Sequence, residues 1–142
     1  MGPVGTTVAT LRFYGDDLEP DEITRLLGAP PTHWARVGDE VSSGRVATQG
    51  SWRLQAPSRS PEDLDEQIAD LFSSLTAEPA VWRELTGRYR ADVFCGLFLN
   101  GPNEGVSISP ATSRLLADRY LPLGLDIYGA TKPEDEDEDE EG

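Results

Sequence analysis

The sequence predicts a single α+β domain, built on a mixed, mostly antiparallel sheet of four to five strands with helices packed on one face. Three observations support this fold class. Segments that alternate apolar and polar residues, as half-buried strands do, occur at intervals along the chain. Segments with apolar residues at helical spacing lie between them. The length of 142 residues suits one domain followed by a short tail.

The first strand and the first helix have the clearest patterns. In "TTVATLRFYG", at 6–15, the side chains alternate between two faces. The apolar face consists of Ala9, Leu11 and Phe13, and the other face of Val8, Thr10, Arg12 and Tyr14. The helix "LEPDEITRLLG" follows at 18–28. Glu19 is its predicted N-cap, Pro20 its first residue, where no N–H is needed, and Gly28 its C-terminal stop.

The middle of the chain is predicted to add a strand and a helix. Residues 29–50 show no clear period and are expected to hold a short strand or a functional loop. The next strand is predicted at "SWRLQAP", with Trp52, Leu54 and Ala56 facing inward. Ser60 and Pro61 are expected to start the helix that follows. Its buried stripe consists of Leu64, Ile68, Leu71, Phe72 and Leu75.

The second half is predicted to contain two helices and a hairpin before the last strand. A helix is expected at "EPAVWRELTG", an apolar strand at "RADVFCGLFLNG", and its hairpin partner at "GVSIS". Ser109 and Pro110 start a helix that weakly repeats the pattern of the first one, so a ferredoxin-like duplication is an open alternative. "LGLDIYG" is the last predicted strand, with Leu125 and Ile127 facing inward.

The negative charge is concentrated at the C-terminus. We predict a domain at 1–131 and a disordered acidic tail at 132–142, because the eight consecutive acids at 134–141 repel one another. The net charge is −14; removing those eight from 26 acidic residues, and Lys132 from 12 basic ones, leaves the domain near −7. This charge disfavours nucleic acid and anionic membranes as partners. A basic protein partner stays open, and so does a purely solubilising tail.

The compartment is predicted from what the sequence lacks. Cys95 is the one cysteine, lies in an apolar run, and is expected to be a buried residue without a disulfide. We see no signal peptide and no segment of the roughly 20 apolar residues that cross a membrane. The sequence therefore predicts a cytoplasmic location.

Several segments together are similar to a known family. They are "LRFYGDDLEPDEITRLLGAPPTHWARVGD", "GSWRL", the predicted helix at 64–75, "SISPATSRLLA" and "LGLDIYG". In combination they resemble a bacterial family known as domain of unknown function 4279, over residues 8–128. The resemblance implies the α+β fold and a bacterial setting. The family has no established activity, so the resemblance supplies no catalytic residue or cofactor.

The segment from Thr32 to Arg36 contains the only histidine and is the best local candidate for a site. One hypothesis is an enzyme or a small-molecule binder with its site near Tyr14, Asp16, His33 and Arg36. The alternative is that His33 and Trp34 only pack beside the sheet. No family signature surrounds Cys95, and neither a zinc motif nor a phosphate loop occurs. The acids at 16–22 lack the spacing of a calcium loop and are expected to complement a helix N-terminus.

The side of the sheet away from the helices is the second candidate. The predicted strands direct Arg12, Tyr14, Arg53, Gln55, Asp126 and Tyr128 to this side, and Phe94 and Phe98 could join them. Aromatic residues and arginines are enriched at protein interfaces, and aromatics on an open sheet can also stack single-stranded bases. The alternative is that residues 29–50 or a second subunit cover this face.

We therefore predict a small, cytosolic, non-enzymatic binding module. One version is an immunity-like or antitoxin-like inhibitor of a basic partner protein. The small-molecule site and, less favoured because of the charge, a nucleic-acid platform are the alternatives, and a homo-oligomer is open. We assign no catalytic residue, cofactor or metal ligand. The candidate binding surface consists of Arg12, Tyr14, Asp16, His33, Trp34, Arg36, Arg53, Asp126 and Tyr128.

Overall fold

The computed structural model describes residues 2–130, and the predicted acidic tail at 132–142 lies outside this range. Within it the helices are α1 (Pro20–Leu27), α2 (Leu64–Ser73), α3 (Pro79–Arg88) and α4 (Pro110–Asp118). The strands are β1 (Gly2–Pro3), β2 (Thr6–Gly15), β3 (His33–Ala35), β4 (Glu40–Ser42), β5 (Arg45–Val46), β6 (Gly50–Gln55), β7 (Arg90–Phe98), β8 (Glu104–Gly105) and β9 (Leu123–Tyr128). None of the described helices is long and apolar enough to cross a membrane.

The main sheet has five strands in the order β3-β6-β2-β7-β9. Strand β2 is antiparallel to both β6 and β7, and β3 is antiparallel to β6. Strand β9 is parallel to β7, because α4 lies between them in the chain and returns it to the same end of the sheet. The predicted α+β class and mostly antiparallel sheet are therefore confirmed, while the ferredoxin-like duplication stays a prediction.

One face of the sheet and the helices form the core. Ala9, Leu11 and Phe13 are buried on β2, as their alternation predicts. The Phe13 ring lies edge-on to Trp52 at 5.8 Å between centroids and packs on Trp82 of α3 at 6.3 Å. The stripe predicted for α2 is buried throughout. This core fixes the sheet, and with it the direction of every side chain on the opposite face.

Helix α2 begins later than the sequence suggests. Asp63, not Ser60, is its N-cap, and the Asp63 carboxylate accepts a hydrogen bond from the backbone N–H of Glu66 at 3.1 Å. The helix therefore begins three residues later than predicted, with a carboxylate in place of a hydroxyl as its cap. The same Ser-Pro pair does start α4 as predicted, since the Ser109 hydroxyl accepts a hydrogen bond from the N–H of Thr112.

The predicted hairpin between "RADVFCGLFLNG" and "GVSIS" is wrong. Strand β7 already has β2 on one side and β9 on the other, so neither of its edges is free for a hairpin partner. Instead, β8 is a two-residue strand that pairs in parallel with β1. Residues 106–109 lead into α4 without strand structure.

The expectation that Leu125 and Ile127 are buried is also wrong. They lie in register with Cys95 and Leu97 and so point to the helix side of the sheet. However, 48% of Leu125 and 58% of Ile127 are exposed, because β9 is an edge strand and no described helix covers it there. Direction was predictable from the alternation, whereas burial depended on the placement of the helices.

Candidate functional site

The side chains on the helix-free side of the five-stranded sheet form a continuous surface, which we call the open face. Within residues 2–130 no helix packs against its centre. Residues 39–41 border it beside β3, and Gln49 borders it beside Tyr14 and Arg90. Residues 29–50 thus form the edge strand β3 and the small hairpin β4–β5 and do not cover the face. The open face includes Val8, Thr10, Arg12, Tyr14, His33, Arg53, Gln55, Arg90, Asp92, Phe94, Gly96, Phe98, Asp126 and Tyr128.

An ion pair lies at the centre of the open face. The Arg12 guanidinium donates to both carboxylate oxygens of Asp92, at 2.8 and 2.7 Å, from the neighbouring strand. The Arg12 guanidinium also lies 4.1 Å from the centroid of the Phe94 ring, a cation–π distance. The hydrogen bond to Asp92 outweighs desolvation and raises the pKa of Arg12. The charge is therefore permanent, and its position is fixed by two hydrogen bonds and a ring.

An aromatic pair forms one end of the open face. The Phe98 and Tyr128 rings stack with centroids 4.6 Å apart and planes 5° from parallel. Gly96 makes room for them, since a Cβ at this position would lie 3.3 Å from the Phe98 ring. The Tyr128 hydroxyl donates to Asp126 at 2.6 Å, and this hydrogen bond raises the pKa of Tyr128. Phe98 is 41% exposed and Tyr128 47%, so the pair is available for contact.

Two shallow hollows lie side by side on this surface. The first, of about 250 Å³, extends across all five strands, from His33 and Arg53 to Phe98 and Tyr128. The second, of about 820 Å³, lies around Tyr14 and continues past the C-terminal end of α3. Arg12 lines both hollows, so the same guanidinium forms part of the wall of each.

The open face is locally positive although the chain is acidic. This face carries three arginines and two aspartates. The arginines are Arg12, Arg53 and Arg90, and the aspartates are Asp92 and Asp126. Only Arg12 has an ion-pair partner among the described residues. Arg90 donates to the side-chain oxygen of Gln49 at 3.5 Å, and the Arg53 guanidinium has no partner among the described residues. The surface thus combines aromatic area with one arginine, Arg53, whose donors are available to a ligand.

The structure brings together most of the predicted surface and separates the rest. Arg12, His33, Arg53 and Tyr128 line the same hollow, with Asp126 hydrogen-bonded to Tyr128. Tyr14 lines the neighbouring hollow. These residues lie on one face because each follows the period of its strand.

Trp34 and Arg36 belong to the other side of the molecule. Trp34 pairs with buried Trp52 and points to the helix side, where it stays exposed at the sheet edge. The Arg36 guanidinium donates to Glu19 and to Asp21 at 3.0 Å each. Arg36 therefore neutralises part of the acidic cluster. Glu19 is the N-cap of α1 and Asp21 lies in its first turn, where negative charge complements the helix dipole.

The four residues of the predicted small-molecule site therefore do not line one cavity. Tyr14 and His33 lie in different hollows, Arg36 faces α1, and Asp16 is exposed in the turn that follows β2. Trp34 and Arg36 are neighbours of His33 in sequence, but alternation along β3 sends Trp34 to the opposite side.

Three residues of the open face were missed by sequence reasoning. They are Arg90, Asp92 and Gly96, which alternate with the buried residues of β7. They lie two or four residues from Phe94, and residues two apart on a strand share a face. This spacing alone would have placed them on the open face. Asp92 is the important omission, since it fixes the orientation of Arg12.

The single cysteine is buried and free, as its apolar surroundings in the sequence predict. Cys95 is buried on β7, and desolvation raises the pKa of its thiol to about 12. A thiol that stays protonated at neutral pH is a poor nucleophile and a poor metal ligand. Among residues 2–130, no group of three or more His, Cys, Asp or Glu side chains is arranged to hold a metal ion.

Comparison with known proteins gives one kind of match. A family model described as "Domain of unknown function (DUF4279)" matches residues 5–130. No curated protein and no solved structure matches the chain. The matched range includes all five strands of the main sheet, so the whole open face lies within it.

Proposed function

This chain belongs to the family of the domain of unknown function DUF4279, and from this premise we propose that it is a non-enzymatic binding module whose protein partner docks on the open face. The observation that carries the proposal is the composition of that face. Exposed Phe98 and Tyr128 lie beside Arg12 and Arg53, on a sheet surface that no described helix covers. Tyrosine, phenylalanine and arginine are the residue types enriched at the centres of protein interfaces.

The rigidity of this surface supports binding in preference to a merely solvated face. Arg12 is held by two hydrogen bonds to Asp92, and Tyr128 by its stacking on Phe98 and its hydrogen bond to Asp126. Side chains that are fixed before binding lose less conformational entropy when a partner docks. Pre-arranged aromatic and arginine side chains on a flat support are thus suited to a flat partner.

The proposal that the protein is no enzyme rests on how its polar groups are used. Asp92 neutralises Arg12, Asp126 accepts from Tyr128, and the Cys95 thiol is held protonated by burial. His33 lies on the exposed edge strand β3, where its strand partner on the same face is Arg53. General acid–base catalysis needs a group positioned against a reacting atom. The two aspartates are paired, Cys95 is buried and His33 is exposed at the sheet edge.

We further propose an immunity-like or antitoxin-like inhibitor, acting in the bacterial cytoplasm on a basic partner protein. The net charge of −14 supports this version, because long-range attraction speeds the encounter with a basic protein. In this arrangement the acidic remainder of the molecule attracts the partner, and the open face makes the close contacts.

Paired variants test the proposal in a capture experiment. Immobilised wild-type protein and the double variant Arg53→Glu/Tyr128→Ser are compared for the proteins they retain from the source lysate. Arg114→Glu on α4 is the matched control, since it reverses an exposed arginine on the helix side. We expect a protein retained by wild type and control and lost with the double variant. Identical retention by all three would contradict the proposal.

The hollow around Tyr14 favours a second candidate, a small anionic ligand. Arg12 and Arg90 both lie over the Tyr14 ring, at 5.4 and 5.9 Å, and Tyr89 and Tyr120 are among the other lining residues. Asp92 also lines this hollow and is paired with Arg12, so Arg90 is the cation left to meet a carboxylate. One such cation and several aromatic rings suit an aromatic carboxylate. Titration with benzoate, followed by NMR, tests this candidate: shifts confined to the hollow and abolished by Arg90→Gln would support it, and unperturbed spectra would exclude this class.

A nucleic-acid platform on the same face makes a different prediction. Stacking of bases would depend on Tyr14 and phosphate contacts on Arg53, so both alanine variants would weaken the binding of a single-stranded oligonucleotide. Absence of binding by the unaltered protein at low salt would exclude it, because low salt is the condition most favourable to such contacts.

A further inference from the structure

Strand β9 is an unpaired edge that is apolar on one side. It is the outermost strand of the five-stranded sheet, next to β7, and has no strand on its other side among the described residues. Leu125 and Ile127 lie on its helix side and are 48% and 58% exposed. Asp126 is the only charged residue in the strand, which contains no proline. Edge strands are usually protected by charge, proline or a covering element, and β9 lacks most of this protection.

The unused backbone groups of β9 can be identified. The carbonyl oxygens of Pro122 and Tyr128 accept hydrogen bonds from Val93 and Leu99, at 3.0 Å each. Because the N–H and C=O of one residue point to the same side of a strand and alternate along it, the even-numbered residues face β7. The groups of Leu123, Leu125 and Ile127 therefore point away from the sheet, toward a partner strand.

We propose that β9 pairs with β9 of a second copy of this chain, antiparallel and centred on Leu125. In this register Leu125 lies opposite Leu125 of the partner copy, and Leu123 lies opposite Ile127. Each of these pairs has its N–H and C=O directed across the interface, so each can form the double hydrogen bond of an antiparallel ladder. The apolar side chains then cover one another on the helix side, where they are now exposed.

The other face of the strand selects this register. On the open-face side, Asp126 comes opposite Gly124 of the second copy, which has no side chain to clash with it. A shift that centres the pair on Asp126 would place two carboxylates directly opposite each other, which is destabilising. A shift that centres it on Gly124 would place Ile127 opposite Leu121, which is buried and lies before the strand.

Self-complementarity is the reason for choosing a second copy as the occupant. A two-fold axis through Leu125 maps the apolar residues onto apolar residues and Asp126 onto glycine, as an isologous interface requires. The axis is perpendicular to the sheet, so both helical layers stay on the same side. Antiparallel pairing also places the two C-terminal ends, at Ala130, on opposite ends of the interface, which separates the strongly acidic segments that follow.

The assembly would be one continuous ten-stranded sheet with the two open faces side by side. This inference goes beyond the proposed function and does not depend on it, since the pairing uses the backbone and helix side of β9. The Phe98–Tyr128 pair of each copy would lie near the junction, because Tyr128 is the last residue of β9.

Solution mass measurements on three lysine variants test the pairing. Sedimentation equilibrium over a wide concentration range should show association to twice the 15.5 kDa mass of the chain. Leu125→Lys should raise the Kd of the dimer at least about tenfold, since it places two like charges directly opposite each other across the interface. Ile127→Lys should also raise the Kd at least about tenfold, since it places a charge against the apolar Leu123 of the second copy. Val46→Lys, at a similarly exposed valine of β5, should leave the Kd unchanged. Circular dichroism verifies that each variant is folded.

Cysteine variants test the register. Cα atoms of a hydrogen-bonded antiparallel pair lie about 5.5 Å apart, within the range that a disulfide spans. Leu125→Cys should therefore give a disulfide-linked dimer on mild oxidation. Asp126→Cys should not, because position 126 lies opposite position 124 of the second copy, two residues away from the second introduced cysteine. The buried Cys95 does not compete. A monomer at every concentration, association unaffected by both lysine variants, or equal cross-linking of the two cysteine variants would overturn the proposal.

Discussion

Gln67 shows how a single polar residue can be required inside an apolar core. It is fully buried on α2, where its side-chain oxygen accepts from the Thr7 hydroxyl at 2.5 Å. Its side-chain N–H groups donate to the backbone carbonyls of Thr7 and Pro57 at 2.8 and 2.9 Å. Gln67 thus joins α2 to the beginning of β2 and to the segment after β6. Without the amide, the Thr7 hydroxyl and the Pro57 carbonyl would lose these hydrogen bonds, whereas the Thr7 carbonyl would keep the one from the Arg59 N–H at 3.0 Å.

We expect Gln67→Met to lower the free energy of unfolding by about 1–3 kcal/mol, the cost of leaving buried polar groups without partners. Methionine matches the length of glutamine, so a cavity would contribute little. Urea denaturation measures the difference, with Gln55→Met on the exposed side of β6 as the control. Equal stability of Gln67→Met and wild type would show that these hydrogen bonds are not needed.

Cys95 shows how burial changes the pKa of a side chain and with it the pH dependence of stability. Desolvation raises the pKa of its thiol from 9.0 to about 12 in the folded protein. Because the folded pKa lies above the unfolded one, the contribution to stability is complete below pH about 9 and is lost as the pH rises toward about 12.

The thiol should therefore resist alkylation by iodoacetamide at mildly alkaline pH while the protein is folded, and react rapidly in denaturant. The rate of carbamidomethylation, followed by mass spectrometry, measures this protection. Equally fast modification of folded and unfolded protein would contradict the assigned burial and the inert role given to this residue.

At the scale of elements, Asp65 connects two helices. Its carboxylate accepts from the backbone N–H of Ser109 at 3.0 Å and from the Thr112 hydroxyl at 2.6 Å, at the first turn of α4. Burial alone would raise the pKa of Asp65, but these hydrogen bonds outweigh it, and the pKa is lowered. Asp65 on α2 therefore helps to fix the position of α4, the helix that returns the chain to β9.

Asp65→Ala should lower the free energy of unfolding by about 1–2 kcal/mol, because Ser109 and Thr112 lose their acceptor. Since the folded pKa is lowered, the contribution of Asp65 is present above its unfolded pKa and is lost as the pH falls through the folded one. Denaturation at neutral and acidic pH should show a smaller effect of the variant in acid. Asp70→Ala, at an exposed position of the same helix, is the control. A pH-independent difference would contradict this assignment.

The sequence predicted elements whose signals are local and missed those set by neighbours. Pro20 and Gly28 delimit α1 because capping and stop signals act within one turn. The alternation along β2 predicted both of its faces, including Arg12 and Tyr14. The partner of β7 was not predictable in this way, because strand pairing depends on contacts that are distant in the sequence. For the same reason the alternation gave the direction of Leu125 but not its exposure.

The candidate site was predictable to the same extent. Arg12, Arg53 and Tyr128 were placed on one face by period alone, and the structure brings them to one surface. Asp16, Trp34 and Arg36 were included because they lie near His33 or Tyr14 in the sequence. Trp34 points to the opposite side because side chains alternate along β3. Asp16 and Arg36 lie just beyond the ends of β2 and β3, where the strand period no longer sets their direction. The Arg12–Asp92 ion pair joins residues 80 apart, so no local pattern could reveal it.

At the scale of the whole molecule, the net charge of the chain is opposite in sign to the local charge of the open face. The chain carries a net charge of −14, yet the open face has three arginines against two aspartates. Long-range attraction depends on the net charge and is screened by salt, while close contacts depend on the local surface. The two properties therefore affect different stages of association with a partner.

For a basic partner, the association rate constant should fall as the ionic strength rises, because screening weakens the long-range attraction. Stopped-flow measurements with the captured partner at a series of salt concentrations test this expectation. Arg53→Glu should act mainly on the dissociation rate, since it removes a close contact on the open face. A rate constant indifferent to ionic strength would contradict the basic-partner version.

Site-specific photocross-linking tests the central claim, that the open face is where a partner protein docks. A photoreactive phenylalanine analogue is placed either at Gln55, in the hollow beside Arg53, or at Arg114, exposed on α4. We predict that position 55 cross-links to one protein from the source lysate, that position 114 does not, and that Tyr128→Ser abolishes the product. Cross-linking of the same protein from position 114 but not from position 55 would contradict the account.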